Sequence, residues 1–212
     1  MPNYYEEISQ SVISGQSDRV KQLTQQAIDA GNEPVEIINQ GLIPGMNVVG
    51  VRFKSGQMYV PEVLMSARAM HGGMDLVKPL ILSADIPSAG KVVIGTVKGD
   101  LHDIGKNLVG MLLESAGFTI INVGVDAGPE KFLEAVKEHS PNFIAMSALL
   151  TTTMLSMKDT IELLKEEGMR DKVFVIIGGA PISQDFADEI GADGFAPDAG
   201  SATDLCKKLL AL

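Results

Sequence analysis

The chain has 212 residues, 45% hydrophobic and 21% charged, enough apolar content for one large domain or two small ones. A formal net charge of −10 speaks against a general nucleic-acid binder, which would present a basic face. The single cysteine, Cys206, excludes an internal disulfide and fits a reducing compartment. It lies in a helical-looking tail beside Lys207 and Leu209, where packing is its expected role. No apolar run reaches the ~20 residues of a membrane span, and the opening MPNYYEEISQ is unlike a signal peptide. A soluble, cytoplasmic protein with no membrane or nucleic-acid partner is expected.

Residues 1 to about 88 read as helices only. Val20, Leu23, Ala27 and Ala30 share one helical face, and Gly31 stands where a C′ glycine would end it. Asn32 is placed to cap the next helix, with Pro34 in its first turn, and Pro44 opens a further helical stretch through Val51. From Pro61 onward, Val63, Ala67, Met70, Met74, Val77 and Ile81 recur at spacings of four and three, the stripe of a helix in a bundle. Gly72 and Gly73 interrupt it at ~1 kcal/mol each relative to alanine; close approach by another body and a tolerated weak spot explain them equally well. On periodicity alone Phe53 and Val60 are bundle core, while Met58, Met65, Met70 and Met74 suit adaptable packing. The segment SADIPSAGK, residues 83–91, is small, turn-rich and aperiodic, a linker between a helical domain over 1–88 and a second domain over 89–212.

Beyond the linker the period changes. Strand candidates are KVVIGTVK (91–98), FTIINVG (118–124), FIAMSA (143–148), VFVIIGG (173–179) and the short GFA (194–196). Helical stretches alternate with them: an Ile104, Leu108, Met111, Leu112 face stopping at Gly117, then about 129–138, 153–167, 183–190 and 199–211. Strands that are nearly continuous apolar runs, each followed by a helix, predict a parallel sheet covered on both faces. The α/β half is therefore expected to be a flavodoxin-like, doubly wound, five-stranded parallel sheet, preceded by an all-α helical bundle.

In such sheets ligands sit at the carboxyl ends of the strands, near the reversal of strand order. Strand one ends in GDLHDIGKN, which places Asp100, His102 and Gly105 as D-x-H-x-x-G, with Asp103 and Ile104 between. Neither the dinucleotide G-x-G-x-x-G nor the P-loop pattern is present. A histidine between two aspartates also fits a plain helix N-terminus, with Asp103 or Asp100 set against the helix dipole. Strand three ends in Ser147-Ala148-Leu149 and strand four in Gly178-Gly179. Small residues at neighbouring strand ends leave a slot for an extended ligand, although Ser147 could simply cap the next helix and a glycine pair is common turn chemistry.

Together these elements resemble the cobalamin-binding domain family, whose signature is D-x-H-x-x-G, then S-x-L, then G-G. Here 41 residues lie between Gly105 and Ser147, and 28 between Leu149 and Gly178, matching the family's spacing. The resemblance implies a cobalamin or related corrinoid, methylcobalamin in its loaded form, with the nucleotide tail inserted beside the sheet and His102 as lower axial ligand to cobalt. Asp100 is then the natural acceptor for the second imidazole nitrogen. Thr153, within the run Thr151–Thr153, stands where the methionine synthases carry a serine that extends the relay, so that proton uptake can accompany loss of axial coordination. The cofactor-binding set so implied is Asp100, His102, Asp103, Ile104, Gly105, Ser147, Leu149, Thr151, Thr153, Gly178 and Gly179, joined by two residues of the helical half.

Those two are Phe53 and Val60. The segment GLIPGMNVVGVRFKSGQMYVPEVLMSARAM (41–70) is similar to the helical cap of methionine synthases and of small methyltransferase corrinoid proteins, and both residues match apolar positions that shield the methyl ligand. Leucine is frequent at the second position, so Val60 would cover less area. The resemblance spans essentially the whole chain. It implies a methyl carrier, incomplete as an enzyme by itself, serving a substrate-specific methyltransferase, a second methyltransferase acting on tetrahydrofolate or coenzyme M, and a reductive activator. The cap would swing on the 83–91 linker for each of them. The alternative is a cobalamin-dependent sensor, disfavoured by the lack of tryptophan and of room for a DNA-binding module. An adenosylcobalamin mutase subunit would lack the cap segment, and a sheet domain without cofactor would purify colourless.

Overall fold

The computed structural model describes residues 3–81 and 88–211. The chain divides into two compact units, Met1–Ser88 with Ser115–Gly117, and Ala89–Glu114 with Phe118–Leu212. Among the described residues no helix is long and apolar enough to cross a membrane.

The first unit is helical throughout: α1 (Tyr4–Ile13), α2 (Ser17–Asp29), the short α3 (Pro34–Glu36), a π-helical turn (Ile37–Leu42), α4 (Ile43–Lys54), α5 (Val60–Val77) and a 3₁₀ turn (Lys78–Leu80). Ile8, Val12, Val20, Leu23, Ala27, Ile37, Leu42, Met46, Val49, Val63, Ala67, Met70 and Val77 form its buried interior. Gly31, at φ 81, terminates α2 in the left-handed conformation that its position suggested. Asn32 does not cap α3 but closes the end of α2: its amide donates to the Ala27 carbonyl at 2.8 Å, and its Oδ1 accepts from the Tyr5 hydroxyl at 3.0 Å. Glu33 takes the N-cap position, with Pro34 directly after it. In the α5 stripe Met74 is only half-buried, and Ile81 lies beyond the helix end. Of the two explanations for Gly72 and Gly73, close approach is the observed one. An added Cβ at Gly72 would come within 2.7 Å of Lys21 Cε, and at Gly73 within 2.7 Å of Leu42 Cδ2 and 3.0 Å of Val20 Cγ1.

The expected linker falls largely on residues 82–87, outside the described residues; Gly90 already begins β1. The second unit alternates β1 (Gly90–Val97), α6 (Ile104–Ser115), β2 (Phe118–Ala127), α7 (Pro129–His139), β3 (Phe143–Ser147), α8 (Leu155–Glu166), β4 (Phe174–Gly178), α9 (Gln184–Ile190), β5 (Gly194–Phe195) and α10 (Ala199–Leu209). The strands pair in parallel in the order β2-β1-β3-β4-β5, the flavodoxin-like order expected. Six successive residues of β1, Val92–Val97, are buried, which requires cover on both faces of the sheet. Phe118, Phe143 and Phe174 begin β2, β3 and β4. Phe143 meets Phe118 edge-on at 6.1 Å and stacks on Phe174 at 5.5 Å, fastening the amino ends of the strands. Strand order reverses between β1 and β3, so the loops at their carboxyl ends flank the crevice where ligands of this fold lie.

Candidate functional site

A single buried carboxylate organises that crevice. After β1, Gly99 turns the chain at φ 81 and the Asp100 N–H donates to the Val97 carbonyl at 3.1 Å. The Asp100 side chain is 0% exposed. Its Oδ1 accepts from the His102 backbone N–H at 3.0 Å and lies 2.7 Å from His102 Nδ1. Its Oδ2 accepts from the Leu149 N–H at 2.7 Å, the Thr153 hydroxyl at 2.9 Å and, more distantly, the Leu150 N–H at 3.3 Å. One residue thus ties the β1–α6 loop to the β3–α8 loop. The Thr153 hydroxyl has one proton and a second acceptor in reach, the Leu150 carbonyl at 2.9 Å, so it divides its bond between the two.

Burial by itself would raise the pKa of the Asp100 carboxyl. The backbone N–H groups of His102 and Leu149, then the His102 ring and the Thr153 hydroxyl, reverse that effect and hold the carboxyl well below the usual carboxylate range. An ionised Asp100 can only accept, so Nδ1 carries the proton of the neutral imidazole and Nε2 keeps its lone pair. The His102 side chain is 53% exposed, which leaves Nε2 open to an external partner.

The other sequence-predicted residues fall into distinct groups. Asp103 sits at the start of α6, the plainer of the two roles considered for it. Its carbonyl accepts from the Asn107 N–H at 2.8 Å, as at a helix start, and its side chain holds the Asn107 amide at 2.9 Å. Ile104 is 82% exposed. At Gly105 an added Cβ would meet nothing within 4 Å, so no protein atom demands a glycine there. Ser147 pairs with Thr96 and Gly178 across the sheet and does not cap α8, which starts eight residues later with Met154 at its N-cap. Leu149 contributes its backbone to Asp100 and leaves its side chain exposed; Thr151 is exposed. The two glycines after β4 answer to the protein itself. An added Cβ at Gly178 would lie 2.8 Å from the Ala196 carbonyl oxygen, and one at Gly179 would overlap the Ala148 carbonyl oxygen. In the helical unit, Phe53 is half-buried in the last turn of α4 and Val60 is exposed as the first residue of α5.

Several residues of the crevice escaped the sequence reading. Leu101, Leu150 and Leu155 join the already named Ile104 and Leu149 as the exposed large hydrophobic residues of the second unit among those described, and all five lie on or beside the two loops tied by Asp100. The apolar letter beside His102 was the signal for Leu101. Thr96 donates its hydroxyl to the His102 carbonyl at 2.8 Å. Lys106 is buried, bonded to Asn122 Oδ1 at 2.9 Å, and desolvation lowers its pKa. Asp126 reaches the loop from β2, with Oδ1 accepting from the Gly99 N–H at 2.7 Å. Nothing in the local pattern marked Thr96, Lys106 or Asp126.

Two family models, each described as a B12 binding domain, match residues 90–205 and 4–78. A corrinoid protein of Desulfitobacterium hafniense strain Y51 is 44% identical over 208 residues, covering 97% of this chain and 96% of that protein. The dimethylamine corrinoid protein of Methanosarcina barkeri is 46% identical over 207 residues, covering 97% of each. The chain belongs to the B12-binding corrinoid proteins. The crystal structure of the methanol:cobalamin methyltransferase complex MtaBC from Methanosarcina barkeri superimposes with a TM-score of 0.89 at 33% identity, over 99% of this chain and 81% of that one.

The corrinoid that this family binds fits the residues present. Among the described residues no cluster of three His, Cys, Asp or Glu side chains converges to hold a bare metal ion. A metal at His102 Nε2 would therefore take its other donors from elsewhere, as a macrocycle-caged cobalt does. The collar of exposed leucines and isoleucine offers apolar surface to a flat macrocycle, and Gly105 leaves open the space that a side chain would fill.

Proposed function

We propose that this corrinoid protein carries a methyl group on a cobalt ligated by His102 Nε2. A substrate-specific methyltransferase loads it, a second methyltransferase passes the methyl to tetrahydrofolate or coenzyme M, and a reductive activator restores it. The observation that carries the reading is the hydrogen-bonded row His102–Asp100–Thr153, with Nδ1 engaged and Nε2 open. When bound, the corrinoid supplies a cobalt centre able to accept and release a methyl group. The chain's own part is to orient the imidazole, fix its tautomer through ionised Asp100, and hold a proton between Asp100 and His102 Nδ1 that would accompany binding or release of a metal at Nε2. In this reading Asp103, Ile104, Gly105, Ser147, Leu149, Thr151, Gly178 and Gly179 line the cofactor, and Phe53 and Val60 of a cap domain over residues 1–88 shield the methyl. The chain is then a carrier subunit working in the cytoplasm, incomplete without its partners. Relatives named for dimethylamine and a structural neighbour solved as a methanol:cobalamin methyltransferase complex support this assignment. The test is reconstitution with hydroxocobalamin. His102→Ala should shift the visible spectrum to that of a corrinoid without histidine coordination, with the fold retained by circular dichroism. A spectrum identical to that of the unaltered protein would remove His102 as the ligand.

A further inference from the structure

We infer that Asp126 is a positioning residue for His102, holding from β2 the loop that presents the imidazole. The inference rests on the function proposed above and deepens it. Asp126 adopts φ 49 near the end of β2, a conformation that L side chains rarely adopt and that aspartate tolerates better than most. The other described non-glycine residues with positive φ, Ser140 and Ala211, follow helix ends, where the left-handed conformation is common.

Asp126 makes two bonds to the same short loop. Its Oδ1 accepts from the Gly99 N–H at 2.7 Å, and its own N–H donates to the Asp100 carbonyl at 3.0 Å. Together they bracket the Gly99–Asp100 dipeptide, while Thr96 Oγ1 holds the His102 carbonyl at 2.8 Å from the other side. The β1–β2 register shifts between Ile94 and Gly95 and again between Gly95 and Val97, just before this loop. Those shifts bring the end of β2 to the loop rather than into a regular ladder. A residue needed only to end the strand at positive φ would be served by glycine, without strain and without a carboxylate. Asp126 instead keeps the strained backbone and spends its side chain on the loop. Strain kept in place by such specific bonds is characteristic of functional sites.

The consequence is geometric. The Asp100 carboxylate can meet His102 Nδ1 at 2.7 Å and Leu149 N–H at 2.7 Å only while the peptide carrying it is fixed, and Asp126 fixes it. Losing the Asp126 carboxylate should let the loop move and weaken the presentation of Nε2.

The test uses the full chain loaded with hydroxocobalamin and reduced to Co(II), whose electron paramagnetic resonance shows nitrogen splitting when histidine is coordinated. Asp126→Gly deletes the carboxylate while relieving the backbone, so folding is preserved. Asp126→Asn retains an Oδ1 acceptor and the tolerance for positive φ. The ratio of histidine-coordinated to uncoordinated cobalt should fall about tenfold in Asp126→Gly, as expected for loss of a hydrogen bond that fixes the loop, and stay within about twofold in Asp126→Asn, which keeps the acceptor. Coordination unchanged in Asp126→Gly overturns the inference, whether or not the variant melts lower; so does an equal loss in Asp126→Asn. His102→Ala runs alongside. If it gives the same signal as the unaltered protein, the assignment of His102 as ligand has failed. If it loses the splitting while Asp126→Gly retains it, only the role of Asp126 has failed.

Discussion

Asp100→Asn keeps the shape of the side chain and removes one acceptor, so it probes the logic of the site directly. In one orientation the new amide nitrogen faces the Leu149 N–H and the Thr153 hydroxyl, setting donor against donor. Thr153 can turn to the Leu150 carbonyl at 2.9 Å, which leaves the Leu149 N–H orphaned. In the other orientation the amide faces the His102 backbone N–H and Nδ1. That choice orphans a backbone donor and forces Nδ1 to accept, which moves the ring proton to Nε2 and blocks ligation. Either way at least one buried donor is unsatisfied, at ~1–3 kcal/mol, and a charge-assisted bond of similar size is lost. A total of ~2–6 kcal/mol corresponds to a melting temperature lower by roughly 5–25 °C for a chain of this size. Circular dichroism melts of the cofactor-free protein measure the stability part. Nitrogen-detected NMR of the His102 ring reads the tautomer, with Nδ1 protonated in the unaltered protein. A variant melting within a degree or two of the original, with its ring proton still on Nδ1, would refute the account of Asp100.

Gly105→Ala meets no protein atom and has no positive φ to oppose it. It should stabilise the cofactor-free protein by ~0.4–1 kcal/mol through the unfolded chain, yet weaken hydroxocobalamin retention. Equal retention in a binding titration would show that the open space at Gly105 is not ligand space. Burial pushes the Cys206 thiol up from 9.0 to about 12. The folded chain therefore keeps a proton that the unfolded chain releases, and stability should decline as pH rises through 9 toward 12. Iodoacetamide at pH 8 should label Cys206 only on the unfolding timescale, and rapid labelling of the native protein would contradict its burial.

The sheet was legible because parallel strands buried on both faces are written as continuous apolar runs; each strand was found within a few residues of its bounds. The largest departure is instructive. β2 runs to Ala127, three residues past its expected end, because Gly124 and Asp126 look like turn chemistry when the partner strand is out of view. The π-helical turn over Ile37–Leu42 changes hydrogen-bond register without changing residue types, so periodicity could not show it. At the site, the spaced signature located Asp100, His102 and Ser147, and the distances among them depend on rotamers and loop turns that spacing does not encode. Gly178 and Gly179 were noticed for a possible ligand, whereas the contacts that demand glycine there come from Ala196 and Ala148, neighbours visible only in three dimensions. Asp126 shows the same limit, since its partner Gly99 is 27 positions away in the chain.

The collar of Leu101, Ile104, Leu149, Leu150 and Leu155 has a consequence for the life of the chain before it meets its cofactor. Apolar side chains gathered around a crevice rather than scattered singly are the ordinary cause of self-association in a newly made protein. A corrinoid seated against these side chains would cover them, and so keep the chain dispersed as well as serve its chemistry. Producing the chain faster than corrinoid can be supplied would leave it prone to form particles, and the yield of dispersed protein would track cofactor supply.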